Sequence, residues 1–225
     1  MRTYKLHLIR HGETQGNREG RYVGRTDLPV CREGLAQLEE LAERYEYPTV
    51  TQLYTSPLTR CRQTAEILYP DLEAEPVEEF QELDFGQFEG KGIEELKEDP
   101  RFLHWLKNSH EGPPDGESGH AFAGRLTDGL NRIFARMMKE GCTSAALIPH
   151  GGVIMTLLSL YGLPEAEMGR WVTENGMGYT LLLTPQMWMQ QNRFEVYGLV
   201  PDALEREEPE EDPDWLWSDD GEENL

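Results

Sequence analysis

Short apolar runs alternate along this chain with stretches in which Leu, Ile and Phe return every three or four positions. The short runs are of strand length: Tyr4 to Ile9, Thr51 to Thr55, Thr143 to Ile148, Met177 to Leu183 and Arg193 to Val200, with a briefer one near Ala74 to Val77. Between them Leu35, Leu38, Leu41 and Ala42 fall at helical intervals in Cys31 to Arg44. Phe122, Leu126, Leu130, Ile133, Phe134 and Met137 line one side of a longer helix, capped by Ser118 or a neighbour and ended by Gly141. Ser56 as N-cap and Pro57 in the first turn start a helix to about Leu68, and another runs from Val153 to Tyr161. Short helices are expected over Ile93 to Glu98 and Pro100 to Lys107, and loops over Arg18 to Pro29 and Phe80 to Gly90. Strand and helix alternate, and the last two strands form a hairpin-like pair joined by a polar connection around Pro185 to Asn192. That order predicts an α/β fold, a three-layer αβα sandwich with a mostly parallel central sheet.

Composition changes the picture at one end. Residues 1–201 read as one domain and 202–225 as an acidic tail, because 12 Asp and Glu against one Arg lie between Asp202 and Leu225. Trp215 and Trp217 are unexpected in a solvated tail, and one of them docking on the body is an open alternative. The net charge of −21 is shared about equally between tail and body, which argues against a nucleic-acid-binding surface. A small anionic substrate needs only a local cluster of Arg and His. Cys31, Cys61 and Cys142 are odd in number and lack metal spacing. No leader segment and no run long enough to span a bilayer is seen, so a cytoplasmic protein with free thiols is expected.

The candidate chemistry lies at strand ends. The first strand runs into Arg10-His11-Gly12, followed by the small polar residues Thr14, Gly16 and Asn17. The strand ending at Ile148 runs into Pro149-His150-Gly151-Gly152 and directly into a helix. In a parallel sheet both histidines emerge on one edge, where functional residues collect. A third strand brings Ser56-Pro57-Leu58-Thr59-Arg60 there. Two His, two Arg and a Gly-rich helix start suit a tetrahedral dianion such as a phosphomonoester. His7, His104, His110 and His120 are read as structural or solvent-facing, and Cys61 as a buried thiol.

Arg-His-Gly-Glu-Thr, Ser-Pro-Leu-x-Arg, Glu-x-x-Phe-Gly-x-x-Glu-Gly and the late Pro-His-Gly-Gly, in that order from Tyr4 to about Val200, resemble the histidine phosphatase superfamily, with its phosphoglycerate mutase-like fold. The resemblance implies that His11 is a nucleophile forming a phosphohistidine. It also implies that Arg10, Arg60 and His150 complete the phosphate pocket, with Glu82 as general acid. Asn17, Thr14 and Gly151 are the implied substrate-binding residues. Glu13, Glu79, Asp84 and Glu89 are the neighbouring acids, and the motif register selects Glu82. No metal and no cofactor is implied.

Bisphosphoglycerate-dependent mutases carry a basic cluster in a longer middle segment. Here Lys91, Lys97, Arg101 and Lys107 are interspersed with acids, and Gly116-Glu117-Ser118 resembles the phosphatase branch. The Asp-Phe-Gly-x-Phe-Glu-Gly-Lys and Pro-Pro-x-Gly-Glu-Ser runs look most like α-ribazole phosphatases of cobalamin biosynthesis. The expectation is a phosphatase acting on a small phosphorylated metabolite, with no nucleic-acid or membrane partner and with a homodimer left open. A phosphoglycerate mutase-type isomerase and a non-catalytic phosphate-binding regulatory protein are the alternatives. Primer-dependent transfer between 3- and 2-phosphoglycerate marks the first. The intact His11, Arg10, Arg60, Glu82 and His150 set speaks against the second.

Overall fold

The computed structural model describes residues 2–202, so the acidic tail and its two tryptophans lie outside the described residues. A seven-stranded sheet forms the centre. Its strands are β1 (Tyr4–Ile9), β2 (Gln52–Thr55), β3 (Ala74–Pro76), β4 (Ser144–Ile148), β5 (Gly162–Leu163), β6 (Gly178–Leu183) and β7 (Phe194–Val200), in the order β3-β2-β4-β1-β6-β7-β5. β3, β2, β4 and β1 pair in parallel, whereas β6 runs antiparallel to both β1 and β7. Leu6, Leu8, Ala145, Ala146 and Leu147 are wholly buried, as befits central strands covered on both faces.

Eight α-helices are found among the described residues: α1 (Gln15–Arg18), α2 (Arg32–Arg44), α3 (Thr59–Leu68), α4 (Ile93–Leu96), α5 (Pro100–Lys107), α6 (Gly119–Glu140), α7 (Gly151–Tyr161) and α8 (Pro185–Gln191). On one face of the sheet, α6 and α7 bury Leu126, Leu130, Phe134, Val153 and Leu157 against Tyr4, Leu6 and Leu147. On the other face, α2 and α3 bury Leu38, Cys61 and Ala65 against Ile9, Ala146 and Ile148. The sandwich is therefore three-layered, as the alternation predicts. A third, smaller cluster of Phe88, Leu96, Phe102 and Trp105 stands apart from both, with Tyr22, Leu83 and Phe85 packed on it.

Three local expectations change. The connection Pro185 to Asn192 is the helix α8, because Thr184 caps it, Pro185 occupies its first turn and Trp188 is drawn into the core. Residues 15–18, of which Arg18 opens the expected loop, form the single turn α1, where Thr14 and Asn17 make a capping box. Ser56 is not a helix cap: α3 starts at Thr59 with Leu58 at the cap position, and Ser56 is fully buried beneath the site.

Candidate active site

Because β1, β2 and β4 are parallel, their carboxyl ends share one edge, and the residues that follow them converge there. His11 N–H donates to Pro149 O and Ser56 N–H to Ile148 O, so the ladder continues one step past each strand. The His11 and His150 rings come to 5.1 Å between centroids. The antiparallel β6 starts at the same edge, so the segment before it closes one side. Asn175 Nδ2 donates to His11 O at 2.7 Å, and Arg10 Nη1 donates to Thr173 O at 2.7 Å.

His11 is 5 % exposed. Its Nδ1–H donates to its neighbour's carbonyl, Gly12 O, at 2.7 Å, which fixes the tautomer. Nε2 therefore carries the lone pair and has no protein partner among the described residues. Burial, and then the Arg60 guanidinium, hold its pKa well below the usual imidazole range, so the ring is neutral at neutral pH. Gly12 N–H is held by Thr64 Oγ1 at 2.8 Å, and a side chain at Gly12 would run into Leu38 of α2. His7, four residues earlier, differs in just this respect. Its Nδ1 meets Thr180 Oγ1 at 2.9 Å and its Nε2 meets Ser144 Oγ at 3.3 Å, so both nitrogens are occupied.

Glu82 and His11 both line a cavity of about 290 Å3 whose wall also includes Arg10, Asn17, Gly151 and Gly152. Its carboxylate oxygens accept from Leu83 N–H and from Gly152 N–H in the first turn of α7, each at 2.9 Å. Burial nevertheless raises its pKa, against the opposing pull of those donors and of Arg60 and Arg10. Gly152 leaves room for the carboxylate: a Cβ there would collide with Glu82 Oε1. The other acids have different duties. Glu89 accepts from Gly24 N–H, Arg25 N–H and Thr26 Oγ1–H, pinning the loop above the site. Glu79 pairs with Arg132, and Asp84 Oδ1 caps Gly86 N–H.

The remaining sequence candidates separate into wall and support. Arg10, Asn17 and Gly151 lie in the cavity wall. Thr14 does not. It is buried, and its hydroxyl and N–H both donate to Asn17 Oδ1, each at 3.0 Å, so it orients Asn17 and leaves the Asn17 amide nitrogen for a ligand. Arg60 and His150 lie behind the wall, 1 % and 0 % exposed. Arg60 donates to Gly24 O at 2.7 Å, Thr26 O at 2.9 Å and His150 Nδ1 at 3.3 Å. An acceptor Nδ1 makes His150 Nε2 the N–H, which donates to Ser56 Oγ at 2.8 Å. Arg60 therefore reaches His11 by its field rather than by contact. Cys61 packs beside His150, and burial pushes its thiol up to about 12, so it stays protonated.

The sequence reading missed the upper wall: Arg21, Tyr22, Val23, Phe85, Met155, Val172 and Thr173. Only Arg21 carried a signal, as a base in an acidic chain. Ser56 was visible within Ser-Pro-Leu-x-Arg but was read as a cap. Among the described residues no group of three or more His, Cys, Asp or Glu is placed to hold a metal ion, and no helix is long and apolar enough to cross a membrane.

Comparisons with known proteins place the chain in a family. A probable phosphoglycerate mutase from Proteus mirabilis is 33% identical over 168 residues, covering 71% of this chain and 76% of its own. The adenosylcobalamin/alpha-ribazole phosphatase of Escherichia coli strain K12 is 28% identical over 179 residues, covering 76% and 86%. A crystal structure of a putative alpha-ribazole-5'-P phosphatase from Escherichia coli K-12 superposes with a TM-score of 0.71 at 25% identity, over 87% of this chain and 95% of that one. A phosphoglycerate mutase structure from Bacillus anthracis, with a TM-score of 0.71 at 21% identity over 88% and 92%, shows the same phosphoglycerate mutase-like fold. The family model of branch 1 of the histidine phosphatase superfamily matches residues 6–193, so this chain belongs to the histidine phosphatase superfamily.

Proposed function

We propose that this protein is a metal-independent phosphomonoesterase that works through a phosphohistidine at His11. The observation that carries the reading is the fixed tautomer of His11: Nδ1–H is spent on Gly12 O, and the unprotonated Nε2 belongs to a residue that shares the cavity wall with Glu82. In the first step Nε2 attacks phosphorus in line, the P–O bond to the substrate alcohol breaks, and protonated Glu82 gives its proton to the leaving alkoxide. In the second step the Glu82 carboxylate takes a proton from water, the oxygen attacks phosphorus, and the N–P bond breaks to release phosphate and free His11. Arg10 and the Gly151 N–H at the start of α7 take the phosphoryl oxygens, with Arg60 adding positive potential from behind. The lowered His11 pKa and the raised Glu82 pKa open a pH window in which base and acid are both in the form the first step needs.

The substrate alcohol meets a wall of Tyr22, Val23, Phe85, Met155 and Val172. Arg21, the cation of that wall, is engaged with Glu19, Gly90 O and Glu95. A second phosphate and a carboxylate, as in bisphosphoglycerate, would need free cations there. A flat apolar alcohol does not, which favours a phosphatase over an isomerase and suits a nucleoside-like ester such as α-ribazole 5'-phosphate, acted on in the cytoplasm. Phosphate release from a panel including α-ribazole 5'-phosphate, 3-phosphoglycerate and p-nitrophenyl phosphate, with EDTA present, tests this. Release preferring the aromatic esters is expected. Primer-dependent conversion of 3- to 2-phosphoglycerate without net release would establish the isomerase instead.

A further inference from the structure

Glu82 lies on a segment with little regular structure of its own. Single turns at Glu78–Phe80 and Gly86–Phe88 flank it. A general acid on such a segment needs its main chain fixed from outside, because displacement by about 1 Å can cost roughly 100-fold in rate. The outside support is Arg125, on the second turn of α6. Its Nη1 donates to Glu79 O at 2.6 Å and Gln81 O at 2.7 Å, and its Nη2 to Glu82 O at 3.0 Å. The other side of the guanidinium is held by Glu117, with Nε to Oε1 at 2.7 Å and Nη2 to Oε2 at 2.8 Å. The Phe122 ring stacks 4.7 Å from its central carbon. Glu117 is fixed in turn, because its own N–H donates to Asp84 O at 3.0 Å.

We propose that Arg125, clamped by Glu117, is a positioning residue for the general acid: it binds three carbonyls of the Glu79–Glu82 main chain and so sets where the Glu82 carboxyl group stands. Arg125 is not itself part of the cavity wall, and its bond to Glu82 is to the main-chain carbonyl and not to the carboxyl group. The planar fork is what the task requires, since one guanidinium spans three carbonyls and a bidentate carboxylate at once. An ammonium is a point donor and cannot. The inference rests on the phosphohistidine reading, because it supposes that Glu82 protonates a leaving group.

The test is the dependence of turnover on the leaving group in Arg125→Lys and in Glu117→Gln, which leaves the Arg125 side chain in place. For Arg125→Lys, kcat/KM on an alkyl phosphate, which reports the transfer to His11 and not the later hydrolysis, is expected to fall about 10- to 100-fold. On p-nitrophenyl phosphate, whose phenolate leaves unaided, the loss is expected to stay within about 3-fold. Inhibition by inorganic phosphate should not move, since the floor of the site is intact. Glu117→Gln should show the same asymmetry at smaller amplitude. Equal losses on both esters, or unchanged kinetics in a folded Glu117→Gln variant, would overturn the positioning role while leaving the phosphatase reading intact. A wild-type protein that releases phosphate from neither ester would overturn both.

Discussion

The floor and the roof of the cavity are built in different ways. The floor is made of residues one to five places beyond three parallel strands: Arg10 and His11 after β1, Ser56 and Arg60 after β2, His150 after β4. Sheet hydrogen bonds hold it, and its buried Arg60 and His150 are satisfied by loop carbonyls, by Ser56 and by each other. The roof is an aromatic cluster with a core of its own. The Tyr22 ring meets those of Phe85, Phe102 and Trp105 edge-on at 5.2, 5.5 and 6.0 Å. Chemistry needs the rigidity of the floor, whereas the choice of alcohol can be left to a roof that is a separate packing unit. Glu82 sits at the seam. Its carboxylate is bonded to the floor through Gly152 N–H, while the next residue, Leu83, packs against both the main core and the roof cluster.

The sharpest way to separate floor from roof is to remove the nucleophile. His11→Ala should lower phosphate release by about 10⁴-fold or more while the circular dichroism spectrum and thermal midpoint stay near wild type. Residual turnover above that level would locate the nucleophile elsewhere. At the seam, Glu82→Gln should cost about 10²- to 10³-fold in kcat/KM on alkyl esters and much less in kcat/KM on p-nitrophenyl phosphate. Equal loss on both would remove Glu82 from the general-acid role. Gly152→Ala pushes a methyl group into the Glu82 carboxylate, and a fall in kcat of roughly 10- to 100-fold is expected, with KM changing less.

Cutting the roof alone should have a milder effect on chemistry. Trp105→Ala empties part of the aromatic cluster and should cost about 3 kcal/mol of stability in urea unfolding. It should raise KM for aromatic esters several-fold, while the leaving-group dependence of kcat is retained. The smallest effect is on pH. Burial holds His7 down to about 4 and keeps His11 and His150 well below the ordinary value of 6.5. The unfolded chain then binds more protons than the folded one below pH 6.5. Stability should therefore be full at pH 7.5 and decline as the pH falls from 6.5 toward 4. Burial raises the Glu82 pKa, so its contribution has the opposite sign and is lost as the pH rises above 4.5. Urea unfolding at pH 7.5, 6 and 5 measures the balance, and a flat profile would mean that the three histidines do not dominate it.

Much of the floor was legible in the sequence. An apolar run of strand length followed by Arg-His-Gly, and a second followed by Pro-His-Gly-Gly, needs only the parallel pairing of β1 and β4 to bring the two histidines together. Once the strands were placed, geometry left little choice. Tertiary contacts decided what each side chain does there. Ser56 before Pro57 has the local signature of a helix cap, yet burial turns its hydroxyl to His150. Thr14 has the signature of a ligand contact, yet the turn that follows claims its hydroxyl. Arg60 is a phosphate-type arginine by position, but the loop carbonyls of Gly24 and Thr26 meet it before any ligand does.

The sequence by itself determined the sandwich, the edge of the sheet that bears the site and the two histidines delivered there, because strand and helix periods and residues at strand ends are local properties of the chain. Only the tertiary structure decided the roof and the setting of Glu82. Tyr22, Phe85 and Trp105 lie far apart in sequence without a shared period, and Arg125 is separated from the carbonyls it holds by more than forty residues. Such contacts depend on the packing of one unit against another, and no local pattern records them.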